Sequence, residues 1–300
     1  MFRKSLLLMT LFVTMLAVSA CGVNFSIGLF TADENVGQSF TVNAAPNIVV
    51  EMFNGGIDVA TGSSTAPGTV TISVTKRGGG NTQADAQNDL KNVEVTMTQE
   101  GNTIRVVAQR TDRRVDIGNS GASAKLTVPK GSTFDLRTSN GGITTAGPAG
   151  DVKAESSNGG INVRGALGQL DLTTSNAGIG VDGGSGTLRL ETSNGGIDAT
   201  TSEPVTVNAR SSNGSVHFTG PLSAGHSELD TSNAGIVVTL PAQAGFSVNA
   251  DTSNGRVTSD FPVSGGSRSD TQLRGTVGSE SATVLGLHTS NGNIDIRQGH

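Results

Sequence analysis

Along this chain an apolar side chain stands four residues before and another three residues after a recurring Ser-Asn-Gly/Ala string, and the residues between alternate apolar and polar. The Asn of the string falls at 140, 158, 176, 194, 213, 233, 254 and 291, and Phe53-Asn54-Gly55-Gly56-Ile57 adds an upstream copy. The leading apolar positions are Val50, Leu136, Ala154, Leu172, Leu190, Ala209, Leu229, Ala250 and Leu287. The trailing ones are Ile57, Ile143, Ile161, Ile179, Ile197, Val216, Ile236, Val257 and Ile294. Within one unit, Leu170–Thr174 alternates as a half-buried strand does, and Ser175-Asn176-Ala177-Gly178 bends the chain. Ile179-Gly180-Val181 resumes the alternation, and Gly183, Gly184 and Gly186 bend it again. Asn and Gly tolerate positive φ, which is the conformation expected at these bends. Each unit therefore predicts two short strands and two bends, with too little apolar surface to stand by itself.

The first three Asn-to-Asn intervals after Asn140 are each 18 residues, the next are 19, 20 and 21, and the last is 37. Two packings fit. In a parallel β-solenoid each unit is one coil, with Ile over Ile and Asn over Asn about 4.8 Å apart. In an antiparallel meander each Asn-Gly is a tight hairpin. The solenoid is favoured, because equivalent environments explain why both apolar phases and both bends persist together. The fold class is then all-β, a parallel solenoid of ~18-residue coils. Asn54, Asn140, Asn158, Asn176, Asn194, Asn213, Asn233, Asn254 and Asn291 read as a structural turn ladder whose amides bond to the next coil's turn. The 37-residue interval reads as about two coils with one degenerate turn.

Upstream, strand-like runs fall at Asn47–Phe53, Thr69–Lys76, Val93–Thr98, Thr103–Gln109 and Ala124–Val128, with a hairpin turn at Glu100-Gly101-Asn102. A helix is predicted from about Gln83 to Lys91, with Thr82 and Asp85 at capping-box spacing and Ala86 and Leu90 towards the sheet. Residues 21–39 have weak periodicity and read as a tether. The expected organisation is one solenoid domain over residues 40–297. Residues 40–130 form an irregular N-terminal cap, since a solenoid's open edge needs cover, and 131–297 form the regular repeats.

The amino terminus adds an address. Arg3 and Lys4 precede an apolar run, Leu6 to Val18, that spans only about 20 Å as a helix against a hydrocarbon core of about 30 Å. It therefore reads as a signal peptide over residues 1–20. Val18-Ser19-Ala20-Cys21 is similar to a bacterial lipobox, which implies cleavage before Cys21, acylation there and anchoring to a membrane surface. In a Gram-negative cell, Gly22 in the next position leans towards the outer membrane.

From Phe40 to Arg297 the chain resembles a bacterial β-strand-repeat family of unknown function named for candidate adhesins. The resemblance rests on Ile48-Val49-Val50 before Asn54-Gly55-Gly56-Ile57 and on Leu126-Thr127-Val128-Pro129-Lys130-Gly131 leading into Leu136–Ile143. It rests also on the Thr-Ser-Asn-Gly-Gly-Ile units and the closing Leu287–Ile294. It implies a right-handed β-solenoid and no assigned catalytic residues. Ser215, Arg256 and Asn293 replace the second Gly, which predicts looser turns there.

Composition narrows the chemistry. The chain holds one Cys, no Trp, no Tyr and 42 Gly among 300 residues, with a net charge of −5. A lone Cys excludes a disulfide scaffold, and the acidic balance disfavours nucleic acid as a partner. Asp follows the trailing aliphatic only at Asp58, Asp198 and Asp295, too few for a calcium ladder. Asp151, Glu155, Asp171 and Glu191 read as solvated outward positions. His217, His226, His288 and His300 share no metal-ligand spacing. Gly78-Gly79-Gly80 lacks the Lys-Ser/Thr of a phosphate loop, and Arg105, Arg110, Arg113 and Arg114, interrupted by Asp112 and Asp116, read as a solvated strand edge.

No catalytic residue, metal site or cofactor is expected. The functional expectation is a cell-envelope lipoprotein: a non-catalytic scaffold or adhesin-like surface protein with a protein or glycan partner. The alternatives are an envelope structural or stress accessory that binds another envelope protein, and a glycan-processing β-helix enzyme.

Overall fold

The computed structural model describes residues 30–62, 67–112, 119–278 and 282–299. The leader, Cys21, Arg113, Arg114, Asp116 and His300 lie outside the described residues. The alternation turns one side of each strand inwards. All the leading and trailing apolar positions are buried, and they face one another across a single core. Burying one such aliphatic side chain contributes about 1.5–3 kcal/mol, so the repeated pair in every unit drives the stacking.

The N-terminal part comprises β1 (Phe30–Val42), β2 (Asn47–Met52), β3 (Ile57–Thr61), β4 (Gly68–Gly80), α1 (Gln83–Leu90), β5 (Val93–Glu100), β6 (Thr103–Arg110) and β7 (Gly121–Val128). The middle runs in strand pairs: β8 (Thr133–Thr138) and β9 (Ile143–Ala146), β10 (Val152–Ser156) and β11 (Ile161–Ala166), β12 (Leu170–Thr174) and β13 (Ile179–Gly183). It continues with β14 (Gly186–Thr192) and β15 (Ile197–Thr200), β16 (Val205–Ser211) and β17 (Val216–Thr219), β18 (Gly225–Thr231) and β19 (Ile236–Pro241). The C-terminal part holds β20 (Phe246–Thr252), β21 (Val257–Ser259), β22 (Val263–Ser264), β23 (Gln272–Val277), β24 (Thr283–Thr289) and β25 (Ile294–Gly299).

Two sheets result. The first runs β1-β4-β7-β3-β9-β11-β13-β15-β17-β19-β25-β21, and the second β22-β23-β20-β24-β18-β16-β14-β12-β10-β8-β2-β6-β5. Neighbouring units pair in parallel: Ile143, Ile161, Ile179 and Ile197 are successive register partners, as are Leu136, Ala154, Leu172 and Leu190. The antiparallel hairpin at each Asn is thereby excluded. The backbone amide of every trailing residue but Val257 donates to the carbonyl two places after the Asn of its neighbour, as in Ile161 N to Gly178 O at 3.1 Å; Val257, in the last unit, donates to Asp270 O at 2.9 Å. Ser215, Asn293 and Arg256 keep that bond at 2.9 Å each, so the looser turns expected there do not occur.

Both ends depart from chain order. Residues 30–39, expected in the tether, form most of β1, which pairs antiparallel with β4 from Phe30↔Gly80 to Val42↔Gly68. The segment expected to be an irregular cap contains two full units, β2–β3 and β6–β7. The second lies outside the first, under a lid of β4, α1 and β5. At the other end, β24–β25 sits between β18–β19 and β20–β21, and the β22–β23 strands close the last unit. The 37-residue interval is therefore a detour through that closing element, not two coils. In both places the chain lays antiparallel strands over the last parallel unit, which covers edges that would otherwise pair with other chains.

The predicted helix forms, and Thr82 Oγ1 accepts from Asp85 N at 3.1 Å. Gly78-Gly79-Gly80 has a packing role: a Cβ on Gly78 would overlap the backbone of Ala86 and Leu90. A Cβ on Gly80 would likewise overlap Asp85 and Ala86, so these two bare residues let α1 lie directly on β4, while Gly79 faces Asn119.

Candidate functional site

The corners after β2, β8, β10, β12, β14, β16, β18, β20 and β24 of the second sheet carry the ladder asparagines. Each Nδ2 donates to the Oδ1 of the preceding Asn in the stack: Asn140 to Asn54, Asn158 to Asn140, Asn176 to Asn158 (2.6 Å), Asn194 to Asn176 (2.8 Å) and Asn213 to Asn194 (2.8 Å). Asn233 donates to Asn213 at 2.8 Å, Asn291 to Asn233 at 3.1 Å, and Asn254 to Asn291 at 2.9 Å. The nine amides form one head-to-tail chain, and its order confirms the inverted stacking of the last two units. Positive φ does not explain the corner: among the described residues Asn54 is the one non-glycine with it, and Gly141, Gly159 and Gly195 lack it. These glycines are needed for space, since a Cβ on any of them would overlap a carbonyl of the neighbouring unit. Ala177 and Ala234 occupy the same phase in two units. Positive φ belongs to the opposite bend, at Gly147, Gly165, Gly183 and Gly220.

A second ladder lies inside the first and escaped the sequence reading. Two residues before Asn stand Thr138, Ser156, Thr174, Thr192, Ser211, Thr231, Thr252 and Thr289, all buried. Each hydroxyl donates to the carbonyl of the residue after the neighbouring Asn, as Thr174 Oγ1 does to Gly159 O at 2.9 Å and Thr192 Oγ1 to Ala177 O at 2.9 Å. The signal is a Thr/Ser phase in eight of the nine units, with Met52 in that place in the first. A hydroxyl side chain in an alternating strand reads as a solvated position, which hides the ladder.

Outward from the second sheet run two polar columns. One is Arg137, Glu155, Thr173, Glu191, Arg210, Asp230, His288 and Asp251. The other is Asp135, Lys153, Asp171, Arg189, Asn208, Glu228, Gly286 and Asn249, in the same registers. Opposite charges meet along them: Lys153–Glu155 at 3.1 Å, Arg137–Glu155 at 3.4 Å and Arg210–Asp230 at 2.7 Å. The His288 ring lies 2.7 Å from an Asp251 oxygen. Hydrogen bonding to Asp230 raises the Arg210 pKa above its ordinary value. The glycan-processing reading asks for a shared acidic groove, but Asp171 lies between Lys153 and Arg189 on its ladder. Asp151 serves a corner, where its Oδ1 accepts from Gln169 N at 2.8 Å.

Near the carboxyl end this face dips into a recess of about 500 Å³. His226 and His288, which the sequence separates, both line it, with Arg210, Glu228, Asp230, Asn249 and Asp251. His217 lies elsewhere, on β17 of the first sheet. Among the described residues no group of three or more His, Cys, Asp or Glu side chains is placed to hold a metal ion.

The arginines divide. Arg105 pairs with Glu51 at 2.7 Å on the surface. Arg110, expected at a solvated edge, is instead largely buried and joins Asp89 at 2.7 Å and Asp112 at 2.8 Å. Asp89 also accepts from Gly79 N at 2.9 Å and from the Ser120 hydroxyl. Burial works to raise the Asp89 pKa, yet Arg110, Ser120 and Gly79 outweigh it and hold the carboxyl below its ordinary value. This node locks α1 to β4 and the end of β6.

The Toastrack DUF4097 family model matches residues 61–297. Among solved structures, a candidate cell adhesion protein from Clostridium sporogenes ATCC 15579 is 12% identical, with 89% of this chain and 100% of that one covered and a TM-score of 0.27. A candidate adhesin from Bacteroides fragilis NCTC 9343 is 9% identical, with 89% and 97% covered and a TM-score of 0.31. One from Parabacteroides distasonis ATCC 8503 is 12% identical, with 88% and 97% covered and a TM-score of 0.27. No curated protein matches the sequence.

Proposed function

The chain belongs to the Toastrack DUF4097 family, and on that premise we propose that it is a lipid-anchored, extracytoplasmic, adhesin-like scaffold built as a right-handed parallel β-solenoid of ~18-residue coils. The observation that carries the reading is the outward face of the second sheet, where two polar columns run in strict register from Asp135 and Arg137 to Asn249 and Asp251. A rigid surface of this kind binds without moving, and many weak contacts on it add through avidity. Right-handedness follows the strong preference of parallel crossover connections. Cys21, acylated after cleavage, is the proposed anchor to the membrane. The accessory reading asks for an exposed apolar strip, but among the described residues the large exposed apolar ones are Phe30 on β1, Leu167 in the bend after β11 and Val284 on β24, which are well separated along the chain.

Two measurements test the proposal together. Fractionation of cells should place the wild-type chain in the membrane pellet and the Cys21→Ser chain in the soluble fraction; equal partition contradicts the anchor. Capture from intact envelopes, with the Cys21→Ser chain as control, should recover glycan. Recovery of one specific envelope protein without glycan favours the accessory reading instead.

A further inference from the structure

Gly286 stands mid-strand in β24, on the outward side of the second sheet, where a glycine weakens a strand. Neither conformation nor packing requires it. Its φ is ordinary, and an added Cβ would meet nothing closer than His226 Cε1 and Ser227 O, both at 3.7 Å. Gly180, the outward glycine of β13, differs, because a Cβ there would lie 2.6 Å from Asn162 Oδ1. At the phase of Gly286 the flanking strands carry Glu228 and Asn249. The consequence of the missing side chain is space: Gly286 lines the recess, and any larger residue would project into it.

We infer that this recess binds one carbohydrate residue, uncharged or amine-bearing, and that Gly286 is the position that admits it. The inference deepens the surface-binding reading above and rests on it. A recess of about 500 Å³ is within the range of small-ligand sites. Its lining mixes donors and acceptors, which suits a polyol that both donates and accepts. Asp230 is engaged by Arg210 at 2.7 Å and Asp251 by His288 at 2.7 Å. Among the described residues Glu228 is paired with Arg210 alone, at a loose 3.5 Å, which leaves its oxygens for sugar hydroxyls. Asn249, which lines the recess, has its Oδ1 occupied by Arg274 at 2.8 Å, so what it brings to a ligand is the donor Nδ2. An acidic sugar would meet three carboxylates against one guanidinium and is disfavoured. With no Trp or Tyr in the chain there is no indole or phenol platform for stacking, so a single contact is weak and retention depends on many anchored copies.

The test is a titration of the full chain with N-acetylglucosamine, glucosamine and glucuronate, followed by calorimetry and ligand-observed NMR. The expected result is saturable binding of at least one of the first two, with glucuronate about tenfold weaker or worse. Gly286→Gln, which fills the recess, and Glu228→Gln, which removes the available carboxylate, should each weaken binding by about tenfold without moving the melting temperature. Should Gly286→Gln fail to fold, Glu228→Gln decides. The inference is overturned if none of the sugars binds at tens of millimolar, if glucuronate binds as well as the others, or if Glu228→Gln binds like the wild type. Retention of the anchored variants on intact envelopes separates the two proposals. Unchanged retention alongside absent sugar binding removes this site and leaves the scaffold reading standing.

Discussion

Thr145 carries a hydroxyl where the same inward column holds Val59, Val163 and Val181, and its Oγ1 is buried with no hydrogen-bond partner. Leaving such a group unpaired costs about 1–3 kcal/mol. Thr145→Val keeps the shape and removes the cost, so it should stabilise the chain by about 1 kcal/mol in a denaturant titration; an unchanged or lower midpoint contradicts the inward placement of Oγ1. The opposite change is harsh. Ile161→Asp and Ile179→Asp each place a carboxylate at a fully enclosed position, and both should abolish cooperative unfolding. The asparagine chain makes a graded prediction. Asn194 donates to Asn176 and accepts from Asn213, whereas Asn254, last in the stack, donates to Asn291 at its terminus. Asn194→Ala should therefore cost about 1–2 kcal/mol and Asn254→Ala about half that, at roughly 1 kcal/mol per exchanged hydrogen bond. Equal losses measured by chemical denaturation would argue against a continuous chain of amides.

The element that most needs a specific interaction is α1, which buries only Ala86 and rests on the glycines of β4. Asp89 fastens it, and the direction of its pKa sets a pH dependence. The folded value lies below the ordinary carboxylate value. The carboxylate's contribution is therefore complete above the unfolded pKa of about 4 and is lost as pH falls through the folded value. Protection factors of the β4 and α1 amides, with each rate referred to its intrinsic value at the same pH, should fall over that acid range in the wild type. In Asp89→Asn they should already be low at neutral pH and change little on acidification. This helix was legible in advance because its signals are local: Thr82 and Asp85 at capping spacing and an apolar Ala86. The partner of Arg110 was not legible, because Asp89 lies 21 residues away and is brought close only by the antiparallel pairing of β5 with β6.

On the scale of the whole molecule, inward phase and stacking order are separate pieces of information, and only the first is written in the repeat. Leu287 and Ile294 obey the same rule as Ala250 and Val257, so either unit fits on β18–β19. The choice of β24–β25 is made by the β22–β23 closing strands, through long-range antiparallel contacts that no periodicity displays. The recess was hidden for the same reason, since His226 and His288 come to line it together only because β24 lies beside β18. Interchangeable units predict tolerance of excision. Deleting residues 158–175, which joins Ser157 to Asn176 in phase, should leave a folded chain whose denaturant m-value falls by about one-tenth, because m follows the surface buried. Deleting residues 158–166 puts the following strands on the wrong sheet and should prevent folding. The central claim, that successive units lie over one another in the same direction, is tested most directly by cross-linking in a Cys21→Ser background. Arg137 and Glu155 are register partners on adjacent parallel strands, within the Cα separation a disulfide spans, whereas Arg137 and Thr144 lie on different sheets. The Arg137→Cys/Glu155→Cys chain should oxidise to an intramolecular disulfide and the Arg137→Cys/Thr144→Cys chain should not; the reverse pattern, a hairpin across Asn140, would contradict the account.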